Sequence, residues 1–368
     1  MRLLYVANVR MPTERAHGVQ IVKTCAALTK IGMNIELLVP RRATPIESDT
    51  FGYYGTKEQF PIRKVPVVDT VSWGRPGFIL ESLSFAFSAV RYARREDVCL
   101  YGRDELILVF LSLFTKREII WESHTGAWNY FARKAARRSK RVVVISRGLR
   151  DFYIARGVPS EKIIVAPDAV DLEDFEKVET KEEARERLGI STLKKVALYV
   201  GDFGGWKGTD TLFGASTFLP GDISIVAIGG KDEQIALLKR KYPRVRFLGF
   251  RPYSELPNNQ VAADVLVLPN TATDTISTSF TSPLKLFTYM ASGRPIVASD
   301  IPSIREVLPE EGAYWCEPDS ARDLARAIQS AVGDSKASER ASVARMAVTR
   351  YTWEARARLI SAAFTYVL

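Results

Sequence analysis

Thr281–Val307 reads TSPLKLFTYMASGRPIVASDIPSIREV, a helix followed by a turn and a strand. Ser282 is suited to cap the helix, Pro283 to sit in its first turn and Gly293 to end it. Arg294 and Pro295 lead into a short apolar strand, Ile296–Ala298. Lys285 falls in the first helical turn, where the helix dipole disfavours a cation. Two explanations stand: a solvated lysine on a capped helix, or a lysine that shares an anion with the free N–H groups of that helix start.

The same alternation extends on both sides. Val196–Val200, Ile223–Ile228, Val245–Leu248 and Val265–Leu268 are short apolar runs that read as buried strands with helices between them. Helical patterns follow at Ser320–Val332, Glu339–Thr349 and Trp353–Tyr366. Between the first of these strands and a helix expected to be capped by Thr209 lies Gly201-Asp202-Phe203-Gly204-Gly205-Trp206-Lys207-Gly208. Glycines and one lysine between strand and helix suit a phosphate cradle, with backbone donors and a point cation. The order GxxxxGK[ST] is absent, which argues against P-loop nucleotide hydrolysis.

An earlier series has the same form. Arg2–Ala7 reads as a buried strand, Asn8–His17 as a loop, and a helical pattern starts after Gly18 and ends near Gly32. Ile35–Val39 closes a βαβ unit, which implies a parallel sheet. Gly18 lets either a substrate or a local packing partner approach the backbone. No GxGxxG follows the first strand, so nothing specific signals NAD. Further strands are Val98–Tyr101, Glu118–Trp121, Val142–Ile145 and Lys162–Pro167, with a weaker signal in Phe60–Val68. Ser146 is placed to cap a helix ending near Gly157. Phe78–Ala93 reads as an apolar helix; core packing is the preferred reading, and a lip touching membrane or lipid, with Trp73, is the other. Both histidines of the chain, His17 and His124, fall in loops at strand carboxyl ends, the edge where open α/β sheets bind ligands. A polar change places a linker near residues 168–190.

At 368 residues the chain suits two domains rather than one core. Three scattered cysteines, Cys25, Cys99 and Cys316, exclude a disulfide scaffold and a CxxC zinc site and fit a reducing cytosol. The N-terminus has no signal-peptide core, so the expected location is cytoplasmic. The net charge of +10 is uneven: 27 Lys and Arg against 16 Asp and Glu through Val170, then 25 against 26. Arg133, Lys134, Arg137, Arg138, Lys140 and Arg141 form the densest block. Such a face meets an anionic membrane or an acidic glycan, or is only a solvated helix. No stacking aromatics are interleaved with it, and no nucleic-acid module is present, so nucleic acid is not an expected partner.

Four ordered patches resemble the retaining glycosyltransferases of family 4, group 1. They are the glycine at 18, the run VISRGLRDFYIARGVPSEKIIVAPDAVDLE from Val144, YVGDFGGWKGTDTL from Tyr199, and SPLKLFTYMASGRPIVASDIPSIREV from Ser282. With Tyr351-Thr352-Trp353-Glu354 they span nearly the whole chain. The resemblance implies an α/β GT-B fold, two Rossmann-like domains facing across a cleft. Residues 1–170 would form the acceptor-binding domain and 171–351 the donor-binding domain, with a C-terminal helix, 352–368, packing back on the first. It implies transfer of a sugar from a nucleotide-diphosphate sugar of UDP or GDP type to a glycan or lipid-linked acceptor. No cofactor or essential metal is implied, and no DxD motif is present. Peripheral association with the inner membrane face is a further expectation.

Residue by residue, Lys207 matches the lysine that holds the donor diphosphate, and His124 the histidine that approaches the reacting centre. Gly18, Gly201, Ser282, Pro283, Leu284 and Lys285 would surround the phosphates, and Gly249 and Arg251 would line the base. His17 and Glu122 lie on the acceptor side. Two positions depart from the family. Thr288 stands where a glutamate normally grips the ribose, and a lost charged hydrogen bond costs about 1.5–3 kcal/mol. Asp202 stands where many members aim an arginine at phosphate. These departures leave a degenerate, non-catalytic nucleotide-sugar-binding scaffold as the alternative function.

Overall fold

The computed structural model describes residues 2–365. The expected C-terminal helix ends at Tyr366 and the expected first domain includes Met1 and residues 366–368; those positions lie outside the described residues. The chain forms two compact units, cut between Pro167 and Asp168 and between Thr352 and Trp353, so that the last helix belongs with the first unit.

The first unit is built on the strands β1 (Arg2–Val6), β2 (Asn34–Pro40), β3 (Ile62–Val65), β4 (Val98–Gly102), β5 (Ile119–Ser123), β6 (Arg141–Val144) and β7 (Ile163–Val165). They form one parallel sheet in the order β3-β2-β1-β4-β5-β6-β7. In register, Leu3–Val6 lies between Ile35–Leu38 and Cys99–Gly102, and these central runs are buried on both faces, hence their mainly apolar sequences, in which Glu36 is the one buried charge. The strand order reverses between β1 and β4, so the loops after those two strands diverge and leave a crevice at the carboxyl edge.

The second unit repeats the plan with β8 (Lys195–Val200), β9 (Ile223–Ile228), β10 (Val245–Phe247), β11 (Val265–Leu268), β12 (Ile296–Ser299) and β13 (Tyr314–Cys316). Their order is β10-β9-β8-β11-β12-β13, all parallel, with the reversal between β8 and β11. The edge strand β13 carries too few residues to stand out in the sequence. The helix Leu284–Ser292 follows β11 and ends at Gly293 in a left-handed cap, as expected.

Two expectations give way here. Residues 168–190 are not a linker: Val170, Phe175, Ala184, Leu188 and Ile190 belong to the second unit's core. The helix Lys181–Arg187 turns Ala184 inward and its glutamates outward, and so reads as polar. The helix Arg75–Ala93 puts only Phe85 and Val90 of its larger apolar side chains in the core. Its inner face is Gly77, Glu81, Ser82, Phe85, Ala86 and Ala89, while Phe78, Ile79, Leu80, Leu83 and Phe87 are exposed, as is Trp73 just before it.

Candidate active site

At the carboxyl edge of the second sheet, the loop after β8 is shaped by glycines that nothing else can replace. Gly201 has φ 150°, and a Cβ there would sit 3.2 Å from the Lys285 amine. Gly208 has φ 65°, and its Cβ would lie 1.7 Å from the Pro269 carbonyl oxygen. Thr209 does not cap the helix that follows; Gly208 holds the cap position, and the Thr209 hydroxyl instead accepts the Gly204 N–H at 2.9 Å, pinning the loop.

Tyr199 is the hub of this edge, and sequence reasoning missed it. Its hydroxyl accepts from Lys285 Nζ at 2.6 Å and donates to the Asp202 carbonyl oxygen at 2.9 Å. Its ring lies 4.2 Å below the same amine, a cation–π contact. Lys207 Nζ pairs with Asp202 Oδ2 at 2.6 Å. Two amines from separate segments therefore converge around one tyrosine and one carboxylate. Burial, followed by the charge of Lys207, lowers the Lys285 amine to about 7.

The helix start differs from its expected form. Pro283, not Ser282, occupies the cap position and makes no side-chain cap. Ser282 is buried, and its hydroxyl accepts the Asp168 N–H at 2.9 Å. Pro283 has no N–H to give, and the Leu286 N–H returns to the Pro283 carbonyl, so Leu284 and Lys285 carry the helix's outermost donors. Thr288 does not present a hydroxyl to a nucleotide: it is 1% exposed, donates to the Lys285 carbonyl and accepts from Gln260 Nε2 at 2.9 Å. A threonine is short enough to let the buried Gln260 fill the space beside the helix. Gly249, with φ 75° and open space where a Cβ would be, follows β10 at the same edge, and Arg251 beyond it is exposed.

In the first unit a cavity of about 470 Å³ opens at the carboxyl edge, between the loops after β1, β4 and β5. His17, Arg103, Asp104 and His124 line it. His17 and Gly18 are not in a loop; they occupy the first turn of the helix Ala16–Lys30. Gly18 is required by packing, because a Cβ would lie 2.2 Å from the Tyr54 hydroxyl and 2.6 Å from a Thr13 methyl. Both histidines are neutral near pH 7: burial first, then the Arg103 guanidinium, pushes each down to about 4. Glu122 does not face an acceptor. It is fully buried, and its carboxylate accepts from Gln20 Nε2 at 2.7 Å, His124 Nε2 at 2.6 Å, the Tyr101 hydroxyl and Arg356 Nη2. Among the described residues no group of three or more His, Cys, Asp or Glu side chains is placed to hold a metal ion.

Residues 17–174 match the family described as Glycosyltransferase Family 4, and residues 194–334 match Glycosyl transferases group 1. Together the two matches take in most of the chain. It belongs to glycosyltransferase family 4, group 1. A relative, TuaC of Bacillus subtilis (strain 168), named as a glycosyltransferase of teichuronic acid biosynthesis, is 28% identical over 361 residues, covering 89% of this chain and 88% of that one. Among solved structures, HepE of Anabaena in complex with UDP and glucose aligns over 99% of both chains with a TM-score of 0.79 at 16% identity. Sucrose-phosphate synthase of Thermosynechococcus elongatus gives 0.80 at 18% identity, over 100% of this chain and 98% of that one. The fold of this glycosyltransferase is GT-B, two Rossmann-like units.

Several polar residues of this family 4 enzyme escaped the sequence reading. Tyr199 looks like any strand aromatic until the lysine two segments away is placed on it. Gln20 and Arg103 sit in a helix and a loop whose register the sequence leaves open. Arg356 did carry a signal. It falls with Trp353, Ala357, Ile360 and Phe364 on one helical stripe, and all five are buried. A lone arginine on an apolar stripe predicts a buried carboxylate.

Proposed function

We propose that this glycosyltransferase transfers a sugar, with retention of configuration and without an essential metal, from a nucleotide-diphosphate sugar of UDP or GDP type to a glycan or lipid-linked acceptor. The observation that carries the reading is the convergence of two amines at the carboxyl edge of the second sheet, Lys285 held on Tyr199 and Lys207 paired with Asp202, close enough for the second charge to lower the first. The reaction breaks the bond from the anomeric carbon to the diphosphate and forms one from that carbon to the acceptor oxygen on the same face. The departing phosphate takes the acceptor's proton. Negative charge grows on the leaving oxygens, so two amines and the Leu284 and Lys285 N–H groups stabilise the transition state more than the ground state. Asp202 must release Lys207 as the diphosphate enters. In this reading the second unit binds the donor, with Gly249 and Arg251 beside the base. The first unit binds the acceptor in its cavity, with His17 and His124 towards the reacting hydroxyl.

HepE, solved with UDP-glucose, motivates UDP-glucose as the first donor probe. A thermal-shift screen of UDP-, GDP- and ADP-sugars should show one class raising Tm, followed by measurable donor turnover unaffected by EDTA. No shift and no turnover across the panel would remove the proposal; turnover abolished by EDTA would remove its metal-free part.

The partner on the first unit is an anionic membrane surface on the cytoplasmic side. The helix Arg75–Ala93 packs beside Glu105–Thr115, which packs beside Tyr130–Arg138. This layer exposes Ile79, Leu83, Phe87, Leu113 and Phe114 together with Arg133, Lys134 and Arg137. Apolar side chains flanked by cations complement a bilayer of anionic lipid. No described helix is long and apolar enough to cross a membrane. Vesicles containing anionic lipid should pull down the protein, less so at high salt or in the Leu83→Ser/Phe87→Ser double variant; equal pull-down by neutral vesicles would refute the charge argument.

A further inference from the structure

The cluster around Glu122 fixes a proton. Arg103 has only donors, and its Nη1 lies 2.7 Å from Gln20 Oε1, so that oxygen must face Arg103. The Gln20 amide nitrogen is thereby turned to Glu122 Oε1, at 2.7 Å. Glu122, ionised, can only accept, so His124 Nε2, at 2.6 Å from the same oxygen, carries the hydrogen. The ring's other nitrogen, Nδ1, is then an acceptor, and His124 lines the cavity of the first unit.

Arg356 is the largest of the charges that keep Glu122 ionised, ahead of Arg103. The remaining contacts to the carboxylate, from Gln20 and the Tyr101 hydroxyl, are neutral. Arg356 is 3% exposed and reaches Glu122 Oε1 at 2.5 Å from the helix Trp353–Thr365, which packs on the helix Ala16–Lys30. Without that cation, the buried carboxylate would draw a proton to the imidazole or take one itself. The charged and titratable groups that act on this pair are Arg103, from the loop after β4, with Tyr5, Tyr101 and Cys25. His17, Asp104 and Glu105 line the same cavity.

We propose that Arg356 is a positioning residue for transfer: acting through Glu122, it holds His124 as the neutral Nε2–H tautomer and leaves Nδ1 as the acceptor for a hydroxyl at the reacting centre. This rests on the reading that places His124 there. It ties the chemistry of the first unit to the docking of the chain's last helix, and it gives Glu122 an orienting task in place of an acceptor contact. The neutral state agrees with the low titration of His124, for which burial and Arg103 are the larger causes and Glu122 the opposing one.

The chain has only two histidines, so long-range ¹⁵N–¹H spectra of histidine-labelled protein resolve each ring, with His17→Ala identifying the signals. The wild type should show His124 as the Nε2–H tautomer with no titration above pH 5. Arg356→Met should raise its midpoint by about one to three units. It should also lower kcat for UDP-glucose turnover most at acidic pH, with KM for the donor within twofold. Arg356→Lys should restore the wild-type spectrum. In Glu122→Gln the amide oxygen stays turned to Arg356 and Gln20, the side that meets His124 Nε2, so the Nε2–H tautomer should persist while the lost charge lowers the His124 midpoint further; an Nδ1–H ring there would overturn the proposal. A folded Arg356→Met protein with unchanged tautomer and titration would overturn the proposal, as would an Nδ1–H ring in the wild type. If Arg356→Met does not fold, the wild-type and Glu122→Gln spectra decide. Full turnover in His124→Ala would instead overturn the placing of His124 at the reacting centre, whatever the tautomer.

Discussion

Raising the pH from 7 to 9 perturbs one group of the donor site above all, the Lys285 amine. Burial and the neighbouring Lys207 lower it to about 7, so in the free protein it is half charged at pH 7 and almost wholly neutral at pH 9. A diphosphate beside it favours the charged form and raises its pKa. Below pH 7 the amine is already protonated and binding takes up no proton. Above pH 7 each donor bound must bring one from solution, about 0.9 at pH 8 for a free-state pKa of about 7. Affinity then falls nearly tenfold per pH unit, about fiftyfold between pH 7 and 9, or roughly 2.3 kcal/mol. Isothermal titration of UDP-glucose at pH 8 in two buffers of different ionisation enthalpy reads the proton directly. Lys285→Arg keeps its charge throughout and should bind with a flat pH profile. For the free protein the sign is opposite. The folded state sheds between pH 7 and 10.5 a proton that the unfolded chain keeps, so Lys285 lets stability rise across that window. Buffer-independent heats at pH 8, or an affinity unchanged between pH 7 and 9, would refute the placing of Lys285 against the diphosphate.

Other substitutions separate the remaining parts of the site. Asp202→Asn frees Lys207 and removes a like charge from the diphosphate; donor affinity should improve roughly threefold to tenfold, on the ~1 kcal/mol scale of an exposed ion pair. Thr288→Val keeps the shape but leaves the Gln260 amide without its acceptor, so urea melts should show a loss of about 1–3 kcal/mol while donor Kd stays constant. Weaker donor binding without a stability loss would return Thr288 to the nucleotide site. Gly208→Ala must both adopt φ 65° and clear the Pro269 carbonyl; differential scanning calorimetry should show a fall in Tm with donor binding lost, and an unchanged Tm would mean the loop has room to move.

Most of the fold was legible because a parallel sheet buried on both faces writes itself as mainly apolar runs. The central strands announce themselves in this way; the edge strand β3, with Arg63 and Lys64 exposed, gives only a weaker signal, and β13, three residues at the edge of the other sheet, gives none. The failures have a common cause. The helix Arg75–Ala93 is apolar enough to look like core, yet its buried side carries Glu81, Ser82 and small residues beside Phe85 and Val90, and most of its large side chains face out. Hydrophobicity reports a preference for leaving water; it does not report which of two apolar surfaces the fold has available. The polar stretch around Lys181 errs the other way, since one alanine and a few flanking aliphatics suffice to anchor a short helix whose other faces are charged.

The candidate site was legible only where chemistry and backbone demand coincide. Lys207 stands among glycines that the loop's positive φ values require, so the cradle shows in sequence. Lys285 shows because a cation in a first helical turn is out of place. Glu122 was found, but its task was misread, because a strand-end carboxylate looks the same whether it faces a ligand or a buried guanidinium. The deciding partner lies 234 positions away, on a helix that returns from the second unit. Its trace in the sequence is the arginine on an apolar stripe. A charge placed there costs stability unless paired, and the chain has to supply the pair from somewhere. Among the carboxylates on buried strands, Glu122 is the one followed two positions later by a histidine. Linking that misplaced arginine to the acid beside a functional histidine would have recovered the orienting role of Glu122, and with it the proton on His124, before any coordinate was known.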